Sequence, residues 1–477
     1  MAIIRFPTME SLDWEDIFFS LSHISGQQFN PFSSENELTR RPNPEQLSWL
    51  AKSCTIPESP RPVGDVLRDM QDVFSYGSRV GHPRFFSVVP SVPSPASWLG
   101  DAVTSAFNPF AGSWKAGTGV CEVERDLVRW IVELFGLPSS AGGQFVSGAS
   151  MANLTALTVA RDQILGEDVS RRSRAVAYIS DQTHFCVVKA LKIIGFSDRN
   201  VRVLPSDSAF KMDPVRLQTA IARDLRNGEL PFLIVGTCGT TRTGSIDPLE
   251  ELADIANTHN MWMHVDAAYG GSVAFSKTHR KLVDGLKHAH SIAWDAHKWL
   301  FQTHGCGAVF FRDRTHPLQS FTTSPDMVAY ADDAEICDPW NFGIELTRPA
   351  RHMRLWFTLQ TLGMDRIDQM ISRGFRLAKL AETELRRLPD WEVIAGTMAM
   401  VTFRFSPSGE DASRLDWINT LISKKLEAAN IALVLTTRLN GRLCLRMCTI
   451  NPQTQDDEIR DVVKALDQKA RSVYQGN

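Results

Sequence analysis

The sequence predicts an α/β fold, and three observations predict it. Between about Gly142 and Phe311 short β-branched runs recur, helix-length segments separate them, and residues able to carry chemistry stand just past the ends of the runs. Continuous apolar runs alternating with helices are the pattern of a parallel sheet covered on both faces. Seven runs qualify as strands: QFV at 144–146, AVAYI at 175–179, VRVL at 201–204, FLIV at 232–235, MWMHV at 261–265, SIAW at 291–294 and AVFF at 308–311.

Credible helices lie between them. In IDPLEELADIANTHN, Asp247 can cap, Pro248 fits the first helical position, and Leu249, Leu252, Ala253 and Ala256 make one apolar face. Before the α/β unit, residues 1–80 are rich in proline and polar side chains, with a helix-like VGDVLRDMQDVFSYG. The unit itself is assigned to 81–366. From 367 to 477 an amphipathic helix, AMVTFRFSP, a helix through LISKKLEAANI and a strand at RLCLRMCTI suggest a small α+β domain. At roughly 100–200 residues per domain, 477 residues accommodate this division.

Composition narrows the function. The chain is 43% hydrophobic and 22% charged with a formal charge of −3. A balance this near neutrality gives no field that would concentrate nucleic acid or anionic lipid. The first residues have short apolar pieces interrupted by Glu10, Asp13, Glu15 and Asp16, which fits neither a secretory signal nor a membrane span. Eight scattered cysteines without a CxxC pair read as reduced thiols. A cytoplasmic enzyme is the expectation.

Four segments carry candidate chemistry. In SIAWDAHKWLF (291–301) a strand delivers Lys298 to its carboxyl edge, where open parallel sheets bind ligands. The ordinary alternative is a solvated lysine. Here His297, Trp299, Leu300 and Phe301 flank it, and a desolvated amine with a depressed pKa can condense with an aldehyde. MWMHVDAAYGG (261–271) ends a strand in Asp266, two residues from His264. The two share one side of the strand and could be a metal pair, or Asp266 could cap a helix. Beside a pyridine nitrogen, a carboxylate would hold that nitrogen protonated and make the ring an electron sink.

GGQFVSGASMANLTALTVAR (142–161) runs a strand through a Gly-Ala-Ser turn into a helix beginning near Met151. Its backbone N–H groups and the Ser150 hydroxyl suit a phosphate, although a plain serine cap would read the same. In SDQTHFCVVKA (180–190) His184 follows another strand, either as a structural histidine or stacked on a flat ring. Phosphate turn, histidine, aspartate and lysine in that order specify together a phosphorylated pyridine aldehyde, pyridoxal 5′-phosphate (PLP).

The order GASMANL, SDQTH, HVDAAYGG and WDAHKW resembles the PLP-dependent group II amino-acid decarboxylases, closest to the bacterial-type tryptophan and aromatic-L-amino-acid decarboxylases. The likeness extends over HPRFFSVVPS (82–91), GTCGTTRTGSIDPLEELA (236–253) and GIELTRPARHMRLW (343–356). The resemblance implies a type I PLP fold and a homodimer with active sites at the subunit interface, the N-terminal segment wrapping the partner. It implies that Lys298 binds the cofactor aldehyde, that Asp266 pairs with the ring nitrogen and that His184 stacks on the ring. Ala149 and Ser150, helped by His297, would hold the phosphate, Ala268 would lie against the opposite ring face, and Thr240 would stand near the cofactor's oxygen side. The reaction implied is α-decarboxylation of an L-amino acid to its amine and CO2.

Departures from the family pattern bear on substrate and product. A loop tyrosine after the lysine usually protonates Cα, and its loss goes with oxidative conversion to an aldehyde. Here Met327 occupies the first-aligned position and Tyr330 is the tyrosine available for that role. Trp340 matches an aromatic wall of tryptophan decarboxylases, whereas Val88 and Ala116 stand in place of Phe and Leu, and Phe110 replaces a histidine. Arg84, Lys115 and Arg348 could favour a second acidic group on the substrate, or be solvated or dimer contacts. Three readings follow: an aromatic, tryptophan-type substrate; a smaller or acidic one, such as glutamate or a heterocyclic glutamate analogue like ibotenate; and a type I aminotransferase with Arg446 as carboxylate clamp.

Overall fold

The computed structural model describes residues 37–89, 92–322 and 337–476, together with Ser22 and Gly26. Strand β1 (Thr39–Arg40) pairs antiparallel with β2 (Gly77–Ser78), and two helices lie between them. Helix α1 (Pro44–Ser53) starts where Asn43 and Gln46 form a capping box with Pro44 in the first turn. Helix α2 (Val63–Ser75) carries Val63, Val66, Met70, Val73 and Phe74 at helical spacing, all exposed. Helices α3 (Pro95–Phe107) and α4 (Thr118–Leu134) then lead into the main sheet.

Each of the seven predicted runs is a strand: β3 (Gly142–Val146), β4 (Ala175–Ser180), β5 (Val201–Leu204), β6 (Leu230–Thr237), β7 (Trp262–Asp266), β8 (Ser291–Asp295) and β9 (Gly307–Phe311). They form one sheet in the order β3-β9-β8-β7-β6-β4-β5. Strand β9 runs antiparallel to both β8 and β3, and the other pairings are parallel. Residues 296–306 explain the exception, being too few for a crossover of about a dozen residues or more.

Every residue of β4, β7, β8 and β9 is buried, as continuous apolar strands require. On one face Ala177, Ile179, Val235, Ala293 and Val309 pack on Ala152, Ala156, Val159 and Ala160 of α5 (Ala149–Leu165). On the other, Tyr178, Ile234, Val265 and Trp294 join a cluster with Val128 and Ile131 of α4. With helices on both faces, the carboxyl edge is where side chains can meet a ligand.

After β4 comes α6 (Phe185–Ile193), and after β6 comes α7 (Leu249–Thr258). Asp247 does not cap α7. It is buried, and its two carboxylate oxygens accept from the Met212 and Thr237 backbone N–H groups, each at 2.7 Å. Two main-chain donors outcompete the helix end for it, and burial pushes its pKa up to about 6.

Helix α8 (Ala296–Trp299) follows β8, and α9 (His352–Arg386) bends at Gly363, whose φ of 65° lies in the left-handed region. Before the bend Leu355 joins the main core. Farther along, Leu377, Ala381 and Leu385 pack with a second cluster built on an antiparallel sheet. That sheet comprises β10 (Trp391–Thr397), β11 (Met400–Phe405), β12 (Leu435–Leu439) and β13 (Arg442–Cys448) in the order β10-β11-β13-β12. It is covered by α10 (Ala412–Ala428) and α11 (Asp456–Gln475). Strands β10 and β12 are edges with half-exposed residues and, in β10, a register shift between Val393 and Ala395. Their weak alternation hid them in the sequence. Among the described residues no helix is long and apolar enough to cross a membrane.

Arg348 is not a surface or substrate-facing cation. At 2% exposure it donates to the carbonyls of Ala111 (3.0 Å) and Phe145 (2.8 Å) and to both oxygens of Glu124. Glu124 also accepts from the Phe145 N–H at 2.8 Å. Burial alone would raise the Glu124 pKa, but Arg348 and His352 hold it below the usual carboxylate range. The pair ties α4 to β3, the strand that leads into the turn at 147–149. Arg348→Ala strands a buried anion and should cost about 3–5 kcal/mol. Urea unfolding checks this; a loss under about 1 kcal/mol would make the pair a bystander.

Candidate active site

Following the sheet order, the turn after β3, Lys298 after β8, Asp266 ending β7, Thr237 ending β6 and His184 beyond β4 lie along one edge. They line a single cavity of about 370 Å³, within the range of about 300–1,000 Å³ usual for small-molecule sites. Of the sequence candidates, Ala149, Ser150, His184, Asp266, Ala268, His297 and Lys298 all line it.

Lys298 Nζ lies 3.2 Å from Asp295 Oδ2. The expected depression of its pKa does not occur. Burial does pull downward, but Asp295 and then Asp266 outweigh it and hold the amine above the ordinary lysine value. The sequence reading missed Asp295 as a partner, although it ends β8 as Asp266 ends β7. Asp295 Oδ1 has no hydrogen-bond partner among the described residues.

His297 donates through Nδ1–H to the Cys306 carbonyl, 3.1 Å away, while its Nε2 stands 3.7 Å from Asp295 Oδ2. Its ring lies against the phosphate turn: a Cβ on Gly148 would come within 3.3 Å of His297 Cε1. Gly307 allows that turn to pack down. A Cβ there would stand 2.5 Å from Gly148 Cα. Helix α5 begins at Ala149 rather than Met151. Its N-cap is Gly148 and no side chain caps it, so the Ser150 hydroxyl is not a cap and first-turn N–H groups face the cavity end.

His184 has a structural role and also faces the cavity. Its Nδ1 accepts from the Cys186 N–H at 3.3 Å, capping α6, and its ring lines the cavity. Burial lowers its pKa, which keeps the ring neutral. Asp266 accepts from Ala268 N–H (3.1 Å) and Asn153 Nδ2 (3.3 Å).

His264 shares no metal with Asp266. Both its ring nitrogens are engaged, Nδ1 with Ser291 Oγ at 2.8 Å and Nε2 with Asn153 Oδ1 at 2.6 Å. Burial pushes the His264 pKa down to about 4. A depressed histidine pKa means the unfolded chain takes up the proton first, so its contribution to stability is full above pH 6.5 and is lost as pH falls towards 4. Between pH 7 and 5 His264 alone should cost about 2 kcal/mol of unfolding free energy. Urea titrations at the two pH values check this, and His264→Gln should show a correspondingly shallower slope.

Other sequence candidates stand away from this cavity of their own chain. Thr240 is fully buried, its hydroxyl bonded to Thr243 Oγ1 at 2.7 Å and to Ser245 N–H at 3.1 Å, and its neighbours Gly239 and Thr241 line the cavity instead. Val88, Phe110, Ala116 and Trp340 do not line the cavity of their own chain. Val88 is exposed. Phe110 bridges to Pro349, and Trp340 N–H donates to the Gly112 carbonyl at 3.2 Å, beside the same loop. Arg84 pairs with Glu458 and Asp461 of α11, and Lys115 lies at the surface. Arg446 is buried, donates to the Thr241 carbonyl and does not line the cavity. Tyr330 and Met327 lie outside the described residues.

The residues present fit PLP. A cradle of small residues and free N–H groups suits a phosphate, a buried carboxylate suits a protonated ring nitrogen, and an amine suits an aldehyde. Gln182 Oε1, Thr237 Oγ1 and Asp295 Oδ1 are buried cavity-wall atoms without a partner among the described residues, ready for a polar ligand.

Comparison with known proteins shows the family. Residues 44–406 match the pyridoxal-dependent decarboxylase conserved domain. The chain is 32% identical over 98% of its length to an aromatic-L-amino-acid decarboxylase of Bacillus atrophaeus, covering 97% of that protein. It is also 32% identical over 83% of its length to an L-2,4-diaminobutyrate decarboxylase of Rhizobium meliloti, covering 79% of it. The crystal structure of Oryza sativa TDC with PLP and tryptamine superposes with a TM-score of 0.91 at 26% identity, over 98% of this chain and 99% of that one. This chain therefore belongs to the pyridoxal-dependent decarboxylase family, and is a PLP-dependent amino-acid carboxy-lyase.

Proposed function

We propose that the enzyme decarboxylates an aromatic L-amino acid of the tryptophan type, releasing the amine and CO2. The observation that carries this is the likeness to the aromatic-L-amino-acid decarboxylase across nearly the whole of both chains. PLP, when bound, supplies an electron sink for the pair released as the bond between Cα and the carboxylate breaks. Lys298 offers the amine for the aldehyde. It rests charged, so Asp295 Oδ2, 3.2 Å away, is the acceptor for the proton it must shed.

Asp266 would hold the ring nitrogen of a bound cofactor protonated. The Ala149 and Ser150 N–H groups and the Ser150 hydroxyl bind the phosphate, with His297 packed against their turn. His184 and Ala268 would confine a bound ring from opposite faces, and Tyr330 would return a proton to Cα.

Phe110, Ala116, Trp340 and Val88 serve substrate recognition in the partner's cavity of a homodimer. Support comes from the exposed apolar stripe of α2 and from their position outside their own chain's cavity. A cytoplasmic location fits the eight cysteines, all free thiols and six of them buried. A second reading, a smaller side chain, is favoured by Val88 and Ala116 and by the diaminobutyrate decarboxylase relative.

A panel of L-amino acids with CO2, amine and aldehyde measured decides between them. Tryptophan should exceed glutamate and 2,4-diaminobutyrate in kcat/KM by about tenfold or more, the worth of one or two aromatic contacts. The reverse order would overturn the substrate assignment. Tyr330→Phe should lose amine formation, and an undiminished amine yield would remove Tyr330 from the mechanism.

A further inference from the structure

We infer that Asn153 and His264 are positioning residues for the cofactor's ring nitrogen, because a buried line of hydrogen bonds from Trp262 through Ser291, His264 and Asn153 fixes the one amide orientation that donates to Asp266. This rests on the reading that Asp266 pairs with that nitrogen. The direction of every bond in the line follows from what its members can donate.

A carboxylate only accepts, so the Asn153 atom 3.3 Å from Asp266 Oδ2 is its Nδ2. The second Nδ2 hydrogen is used as well, at 3.3 Å from the Cys186 sulfur. The Asn153 carbonyl is thereby turned to His264 Nε2 at 2.6 Å, and since it only accepts, Nε2 carries the hydrogen. His264 is fully buried and neutral, so its Nδ1 holds a lone pair and must accept from the Ser291 hydroxyl 2.8 Å away. Ser291 Oγ accepts in turn from the Trp262 indole N–H at 2.8 Å, a group that only donates. Each member is satisfied in one arrangement. Flipping the Asn153 amide would set two acceptors against each other at Asp266, a conflict that neither His264 tautomer relieves.

The consequence concerns both ends of the cofactor. Asn153 stands on α5, whose first turn forms the phosphate cradle, while Asp266 ends β7. One amide couples the two. With Oδ1 held by the Ala268 N–H and Oδ2 by Asn153, the carboxylate is fixed in orientation with its remaining lone pairs available to the cavity.

The test compares PLP with its carbocyclic analogue, in which a C–H replaces the ring nitrogen, by titrating each into PLP-stripped enzyme and following fluorescence quenching. Asn153→Leu should weaken PLP binding about tenfold, and Ser291→Ala, a smaller change at the far end of the line, about threefold, while the analogue's affinity moves by less than about twofold. If both ligands weaken in parallel in either folded variant, the line only supports packing and the inference fails. It fails equally if PLP affinity is unchanged. Equal wild-type affinity for the two ligands would instead overturn the Asp266 assignment beneath it.

Discussion

Lys298→Ala should reduce decarboxylation by about a thousandfold or more, because an amine held at the cavity floor is replaced by nothing that can bond to an aldehyde. The variant should also lose the visible absorbance that PLP acquires on attachment to a lysine. The fold should survive, since Lys298 lies at the cavity and its one ion pair among the described residues is with Asp295. Removing it leaves the Asp295 carboxylate without its cation, so a modest drop in melting temperature accompanies the loss. Absorbance spectra and CO2 release measure both effects. A variant that keeps its visible band and its rate would move the chemistry to another amine.

Asp266→Asn is expected to be nearly as severe, with kcat down by about a hundred- to a thousandfold. Asparagine keeps the shape but cannot hold a proton on a pyridine nitrogen by charge, so the ring accepts electrons poorly. It also meets Asn153 amide to amide, where Oδ2 now accepts at 3.3 Å. Substrate binding should change far less than turnover, giving a kcat effect with KM shifted by only a few fold. Steady-state kinetics separate the two. A KM effect with kcat preserved would assign Asp266 to substrate binding instead.

The strands and most of the cavity wall were legible in the sequence because both follow from local rules. Continuous β-branched runs mark doubly covered strands, and Asp266, Lys298, His184 and the 148–150 turn sit at or just past their carboxyl ends. What was hidden depends on which distant segments meet. Asn153 and His264 lie far apart in the chain yet share a hydrogen bond, and nothing near either residue announces it. Arg348 looked like a surface cation until its burial against Glu124 was known. The Lys298 pKa was expected to fall on burial alone, and rises because Asp295 and Asp266 converge on it. Thr237 could have been found by the same edge rule that found Asp266, since each ends its strand. Val88, Phe110, Ala116 and Trp340 were placed by family likeness, and the cavity they serve lies beyond their own chain in our reading.

The most direct test is a crystal structure of the enzyme reconstituted with PLP and no substrate. The account predicts continuous density from Lys298 Nζ to the cofactor's aldehyde carbon, with an Asp266 carboxylate oxygen at hydrogen-bond distance from the ring nitrogen at the other end. Density joined to a different side chain, or a ring nitrogen facing away from Asp266, would contradict it.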